Sequence, residues 1–393
     1  MVQRVVHGVG VGTNLGLSEF LMTVMGGHFL ESRGCIFPAL IRVGYSPRES
    51  RRVWRAAAIG SWECNYLLAR LRACIDADQQ WEPLRVEGRQ VVALDTTGIF
   101  RPRLKNLVSR HFAPAEHKTA PAICLGLMAA MGRVGEQHVA IPMLIARGPS
   151  DVSPEDSLMM DLIRQAGEQA AKDWVFCADR KFLAMVMVRH GLTQIVKRVQ
   201  KNAIFRREVP ESQIGRGRRR LRGQVVRPLT RRVRGRVIDG SPPDEQVSWQ
   251  ELEQGELVKI TTSVWHRLHL REQRSWDHET RALSDKTLWT VYAIHHPSFD
   301  EPMLVITNAE FTPRQAYQIA HGRWGVEQPP LVTKQLLGLH RQNVWSAQMR
   351  YRLPELGFIG AGILTYVAAC HKAVPTGWWD TRAKPTVVDY ASN

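Results

Sequence analysis

Three acidic residues stand where carboxylates could be put to chemical use: Asp95 in VVALDTT, Asp179 in WVFCADRKF and Glu327 in HGRWGVEQPPLVTKQLLGL. Each Asp ends a short apolar run of strand type, and Glu327 has Arg323 and Lys334 around it. A strand end holds a carboxylate rigidly, so two such ends and one helical carboxylate could converge on a pair of divalent ions. Their oxygens are hard donors of the kind Mg²⁺ takes, with Mn²⁺ as its substitute. That is the chemistry of phosphodiester cleavage.

Such carboxylates need a scaffold, and the hydrophobic periodicity outlines one. From about residue 17 to 80 the apolar residues recur every three or four positions, which predicts a helical region. Near residue 90 the pattern turns to strand type. VVALDTT reads as the first strand, and PAICLGLMAAMG with QHVAIPMLIA, joined by a turn at Arg133 to Glu136, reads as a hairpin. A helix over 154–172 leads to the strand WVFCAD, and a second over 181–189 leads to TQIVKR. Strand, hairpin, helix, strand, helix, strand is the order of a ribonuclease H-like mixed sheet. The interval from Asp179 to Glu327 is too long for one connection. ELVKITTSVW, TLWTVYAIHH and MLVITN are rich in β-branched residues, so the interval is expected to hold a β-rich insertion.

The residues around Glu327 carry a resemblance. Arg323, Glu327 and Lys334 have the spacing of the tyrosine, arginine, glutamate, lysine signature of DDE transposases of bacterial insertion sequences. ADRKF is similar to that family's second-aspartate motif, and KQLLGLHRQNVWS resembles the run after its catalytic helix. The resemblance covers about residues 85 to 370. It implies a ribonuclease H-like catalytic core with Asp95, Asp179 and Glu327 holding two Mg²⁺ ions, and Arg323 and Lys334 on DNA phosphate near the scissile bond. It also implies end cleavage and strand transfer on double-stranded DNA by a homodimer in a synapse. Two positions depart from the pattern. The family tyrosine position is Ala320, with Tyr317 one turn earlier, and Glu327 is followed closely by Pro329 and Pro330, which would kink or restart a helix.

These readings give a mixed α/β chain: a helical domain over 1–85, the first part of the catalytic core over 86–200, a basic β-rich insertion over 201–310, and the rest of the core over 311–393. The net charge of +16 points to a polyanionic partner. Six scattered cysteines form no zinc-ribbon spacing. No clean signal segment or long apolar run is evident, so the expected location is the cytoplasm, at the nucleoid, with no membrane.

Two basic segments bear on DNA. In FPALIRVGYSPRESRRVWRAA, Ser46 and Glu49 make a capping box with Pro47 at the first helical position, so a helix-turn-helix would present Arg48, Arg51, Arg52 and Arg55. An ordinary amphipathic helix with a solvated basic face fits the same residues. The tract IGRGRRRLRGQVVRPLTRRVRGRV places Arg216, Arg218, Arg219, Arg220, Arg222, Arg227, Arg231, Arg232, Arg234 and Arg236 without an acidic residue among them. Phosphate binding is the reading favoured over a solvated loop. Besides the transposase, two other functions fit: a catalytically inactive, transposase-derived DNA-binding protein, and a ribonuclease H-like nuclease without strand transfer.

Overall fold

The computed structural model describes residues 1–101, 103–105, 107–113, 117–147, 155–209, 223–253, 255–271, 282–284, 286–341 and 343–372. In chain order it forms α1 (Val2–Val6), α2 (Val11–Met25), α3 (His28–Glu31), α4 (Ile36–Arg42), α5 (Pro47–Ile59), α6 (Cys64–Asp78), β1 (Trp81–Pro83), β2 (Arg85–Val86), β3 (Arg89–Phe100), β4 (Arg110–Ala113), β5 (Lys118–Val134), β6 (Gln137–Arg147), α7 (Glu155–Gln169), β7 (Trp174–Ala178), α8 (Ala184–Arg189) and β8 (Ile195–Arg198). Then come β9 (Phe205–Arg207), β10 (Val225–Val226), β11 (Arg231–Val233), β12 (Arg236–Ile238), β13 (Glu245–Glu253), β14 (Glu256–Leu270), β15 (Trp289–His295), β16 (Met303–Thr307), α9 (Pro313–Gly322), a 3-10 turn (Arg323–Glu327), α10 (Gln328–Leu331), a π turn (Val332–Leu336), a 3-10 turn (Leu339–Arg341) and α11 (Met349–Cys370). The protein is mixed α/β.

The chain divides into two compact units, one of 1–85, 93–162 and 324–393, the other of 86–92 and 163–323. These boundaries follow packing and do not coincide with the segments 86–200 and 201–310 read from periodicity. In the first unit the predicted hairpin is present: β5 pairs with β6 from Leu125↔Arg147 to Val134↔Gln137. Its two-residue turn places Gly135 at φ +54°, where glycine carries no Cβ penalty. β1 and β4 also pair with β5, and β3 is its other neighbour.

The six N-terminal helices belong to this first unit, and α11 binds them to its sheet by packing on α2, α6 and β6. Leu353, Leu356, Phe358 and Ile359 are fully buried there; each contributes roughly 1.5–3 kcal/mol by leaving water. α11 is the one helix among the described residues long and apolar enough to cross a membrane, and 83% of its most apolar window is buried inside the protein. Near its base Glu355 is 3% exposed. Burial pushes its carboxyl up, while Arg147 and Arg352 pull it back. Arg352 in turn donates to the carbonyls of Ala57 and Gly60 at the end of α5 and stands 4.6 Å over the Trp62 ring.

In the second unit β7 and β8 are parallel, joined across α8. β8 then pairs antiparallel with β16, and the order continues β16, β15, β14, β9, β10, with β13 on the free flank of β14. The β-rich segment expected between residues 201 and 310 is therefore built onto the same sheet as β7 and β8. Trp265 and Trp289, 2% and 1% exposed, fill its core, the packing use of tryptophan. β11 and β12 form a separate two-stranded ribbon that turns at Arg234 and Gly235, both with positive φ.

Candidate functional site

Asp95 lies in the middle of β3, which runs on through Phe100, and not at a strand end. Its half-buried carboxylate accepts a 2.8 Å hydrogen bond from the Thr96 N–H. Thr97 is two residues on, so strand alternation puts it on the same face as Asp95. The buried Thr97 hydroxyl accepts a 2.5 Å hydrogen bond from Lys334 Nζ. Burial drives the Lys334 ammonium down to about 8, opposed by the nearby Asp95 carboxylate and Cys124. The first unit thus brings Asp95 and Lys334 together from positions far apart in the chain.

What places Lys334 is an irregular helical run whose cause is local. Pro329 and Pro330 lack the N–H groups that would bond to Gly325 and Val326 in an α-helix. The chain winds as a 3-10 turn over Arg323–Glu327 and restarts at α10, where both prolines occupy the first turn and their missing donors cost nothing. At three residues per turn, positions four apart no longer share a face, so Arg323 and Glu327 do not stand on one helical face as they would in an α-helix. Glu327 is exposed at the end of that turn. Lys334 follows within the π turn, closed by Leu337 N–H on Val332 O at 2.9 Å.

Two glycines let this run pack closely. A Cβ on Gly357 of α11 would lie 2.2 Å from Leu339 and 2.8 Å from Thr333, the neighbour of Lys334. Gly338, at φ +72°, ends the run, and a Cβ there would meet the Leu30 backbone at 2.6 Å.

Asp179 belongs to the second unit, half-buried directly after β7. Arg323 is 3% exposed in the same unit. Both act on Cys177, whose thiol is pushed up to about 12 by burial, with Arg323 pulling down and Asp179 pushing further up. Its Sγ donates to Ile319 O at 3.5 Å, which ties α9 to β7. Asp179 and Arg323 are thus neighbours of one buried thiol, while Asp95, Glu327 and Lys334 fall in the first unit. The three carboxylates offer the oxygen donors Mg²⁺ takes. Among the described residues no group of three or more His, Cys, Asp and Glu side chains is arranged to hold a metal ion.

The other candidates lie apart from these pairs. On α5 the capping box of Ser46 and Glu49 is formed, and Arg48, Arg51 and Arg52 are exposed. Arg52 pairs with Glu19 at 2.6 Å, which gives it a structural partner on α2. Arg231 and Arg232 lie on β11, with Arg232, Arg234 and Arg236 exposed around the ribbon. Arg216, Arg218, Arg219, Arg220 and Arg222 lie outside the described residues.

Two participants escaped the sequence reading. Thr97 is given no role there, although its i+2 spacing from Asp95 was a usable signal. Cys177 carried none, since an apolar strand residue gives no sign of the charges beside it. No protein-family model and no curated protein matches the chain.

Proposed function

We propose that the protein is a DNA transposase of the type its signature residues resemble, cutting phosphodiester bonds at the ends of an insertion sequence and transferring the freed strands to target DNA. The observation that carries this reading is the seating of Lys334 on Thr97 beside Asp95. The spacing with Glu327 and the strand context of Asp95 single these residues out separately, yet they meet in one unit. The resemblance assigns Asp95, Asp179 and Glu327 to Mg²⁺, which if bound would supply Lewis acidity at the scissile phosphate and a nucleophile at neutral pH; that assignment rests on the resemblance alone, since no described group of three such side chains is arranged to hold a metal ion. Lys334 offers its ammonium to a phosphate oxygen, and Thr97 fixes the direction of that cation. Arg323 offers a planar fork suited to a second phosphate oxygen. The exposed arginines of the β11–β12 ribbon hold the backbone of double-stranded DNA, and the protein works as a homodimer at paired ends.

The strand order within each unit is compatible with a ribonuclease H-like core carrying a β-rich insertion. β3, β5 and β6 are neighbours in the first unit, and β7 and β8 are parallel in the second. The break at Pro329 and Pro330, with Glu327 exposed before it, favours a second reading, a DNA-binding protein of the same descent without turnover.

One experiment separates the two. DNA carrying the gene's own flanks is incubated with the protein and Mg²⁺ or Mn²⁺, in parallel with Glu327→Gln. Cleavage at the flank ends that vanishes in the variant is the expected result. Binding by both proteins with cleavage by neither would replace the transposase with the inactive binder.

A further inference from the structure

A groove on the first unit, away from Asp95 and Lys334, has no role in the proposed reaction. The segment after the 3-10 turn Leu339–Arg341 is tied down at three points. Asn343 N–H donates to Gly34 O at 3.0 Å, its amide donates to Cys35 Sγ at 3.2 Å, and Arg101 Nη2 donates to Val344 O at 2.6 Å. These anchors hold Trp345 in the open, 60% exposed, at one wall of a shallow cavity of about 270 Å³. Phe37 of α4 and Trp54 of α5 line the same cavity and stack on each other at 6.4 Å and 26°.

Aromatic faces left in water call for an occupant, and the surrounding charge indicates which. The Arg101 guanidinium stands 5.9 Å over the Trp345 ring. Arg51 precedes Trp54 by three residues and so flanks it on the same face of α5. Arg48, Arg51 and Arg55 are exposed, and no ion pair among the described residues involves them. The one carboxylate on α5, Glu49, is turned back onto Ser46. A second copy of the chain would bring the same surplus of +16, so charge opposes self-docking here. The cavity falls below the ~300 Å³ at which enclosed small-molecule sites begin, and its shallow form suits flat rings. Stacking rings bordered by guanidiniums that no described carboxylate neutralises are what unpaired bases and their phosphates require.

We infer that the Phe37, Trp54 and Trp345 groove binds unpaired bases of a single-stranded DNA segment, with the phosphates along the Arg51 side of α5. The inference rests on the proposed function in taking DNA as the polyanion, but it needs no cleavage.

The test titrates the full chain with oligothymidylate of about 12 nucleotides, within the range one stacking surface covers, and with duplex of equal length. Anisotropy of a labelled strand is the signal, and Trp345→Ala, Trp345→Phe and Arg51→Gln are the variants. Trp345 is a surface side chain, so the fold does not depend on it. Trp345→Ala should weaken oligothymidylate binding about tenfold with an unchanged salt slope and leave duplex binding within about twofold. Trp345→Phe should restore most of the loss, and Arg51→Gln should lower the salt slope.

Equal oligothymidylate affinity in Trp345→Ala and the parent would overturn the inference. So would a concentration-dependent dimer that Trp345→Ala dissolves without any change in oligothymidylate binding, which would make the groove a surface between copies. If the flank DNA is never cut while Trp345→Ala shows the selective loss, the proposed reaction falls and the groove stands.

Discussion

Asp95 in the first unit and Glu253 in the second are both carboxylates sheltered among polar partners, and their settings differ in one respect. Glu253 is closed in. Its Oε1 accepts from the Tyr317 hydroxyl, and its Oε2 lies 3.1 Å from Nε2 of the buried His296. Tyr317 stacks on His296 at 6.2 Å and 13°, with Trp249 edge-on at 6.1 Å. Burial pushes the Glu253 carboxyl up, but the hydrogen bonds from Tyr317 and His296 outweigh it and leave the group below its ordinary range. Tyr317 is held up by burial and by its bond to Glu253. Asp95 instead faces a cation whose own charge is disfavoured, since burial brings Lys334 down to about 8. A carboxylate stabilised in its charged form belongs to a finished network. A lysine left under-compensated beside a carboxylate is a site whose electrostatics an anionic ligand would complete.

Asp95→Asn tests this difference most severely. It should reduce metal-dependent cleavage on the order of 10³-fold while DNA affinity stays level or rises, because one negative charge leaves a phosphate site. A variant that cuts at the parental rate would remove Asp95 from the site.

Glu253→Gln should act the other way, with a stability loss of about 1–3 kcal/mol in urea denaturation and cleavage nearly intact. Because the folded-state value of Glu253 lies below its unfolded value, its stabilisation is present above the unfolded carboxylate range, near pH 4.3. It is lost as pH falls through the lowered value. Parent and Glu253→Gln should therefore converge in acid, and parallel curves down to pH 3 would contradict the network.

A smaller effect is the acylation of Lys334 followed by mass spectrometry. Half-maximal reactivity is expected near pH 8, and Asp95→Asn should move it lower still by removing the charge that raises it. Reactivity that rises only above pH 10 would mean a solvated lysine. Smallest is Thr97→Val, which frees the ammonium from its anchor and should raise KM for DNA a few-fold (~1 kcal/mol, one hydrogen bond), with Thr97→Ser restoring it. A loss in kcat instead would place Thr97 closer to the chemistry.

The elements most legible in the sequence are those whose cause is local. The capping box of Ser46 with Glu49 is formed, with Pro47 in the first helical turn. The β5–β6 hairpin is legible for the same reason, its register being set by a two-residue turn. The break after Glu327 follows from two absent N–H groups. Its consequence for Lys334, placement in a π turn packed under Gly357, depends on a helix beginning fifteen residues further on and was not readable. Tyr317 illustrates the limit most clearly. Its spacing from Arg323 marks it as the tyrosine nearest the signature position, while the fold commits its hydroxyl to Glu253, from a hairpin sixty-four residues upstream.

Residue order alone sets which groups can do chemistry, the type of most elements around them, and the surplus of positive charge. Backbone donors, side-chain branching and charge act over a turn or a strand, and they are written residue by residue. Which of those groups meet follows from the packing of the chain. Lys334 on Thr97, Arg323 beside Cys177, Glu355 beside Arg147, and Trp345 across from Trp54 are pairings between distant segments. The burial that shifts Lys334 and Glu355 exists only once those segments have packed.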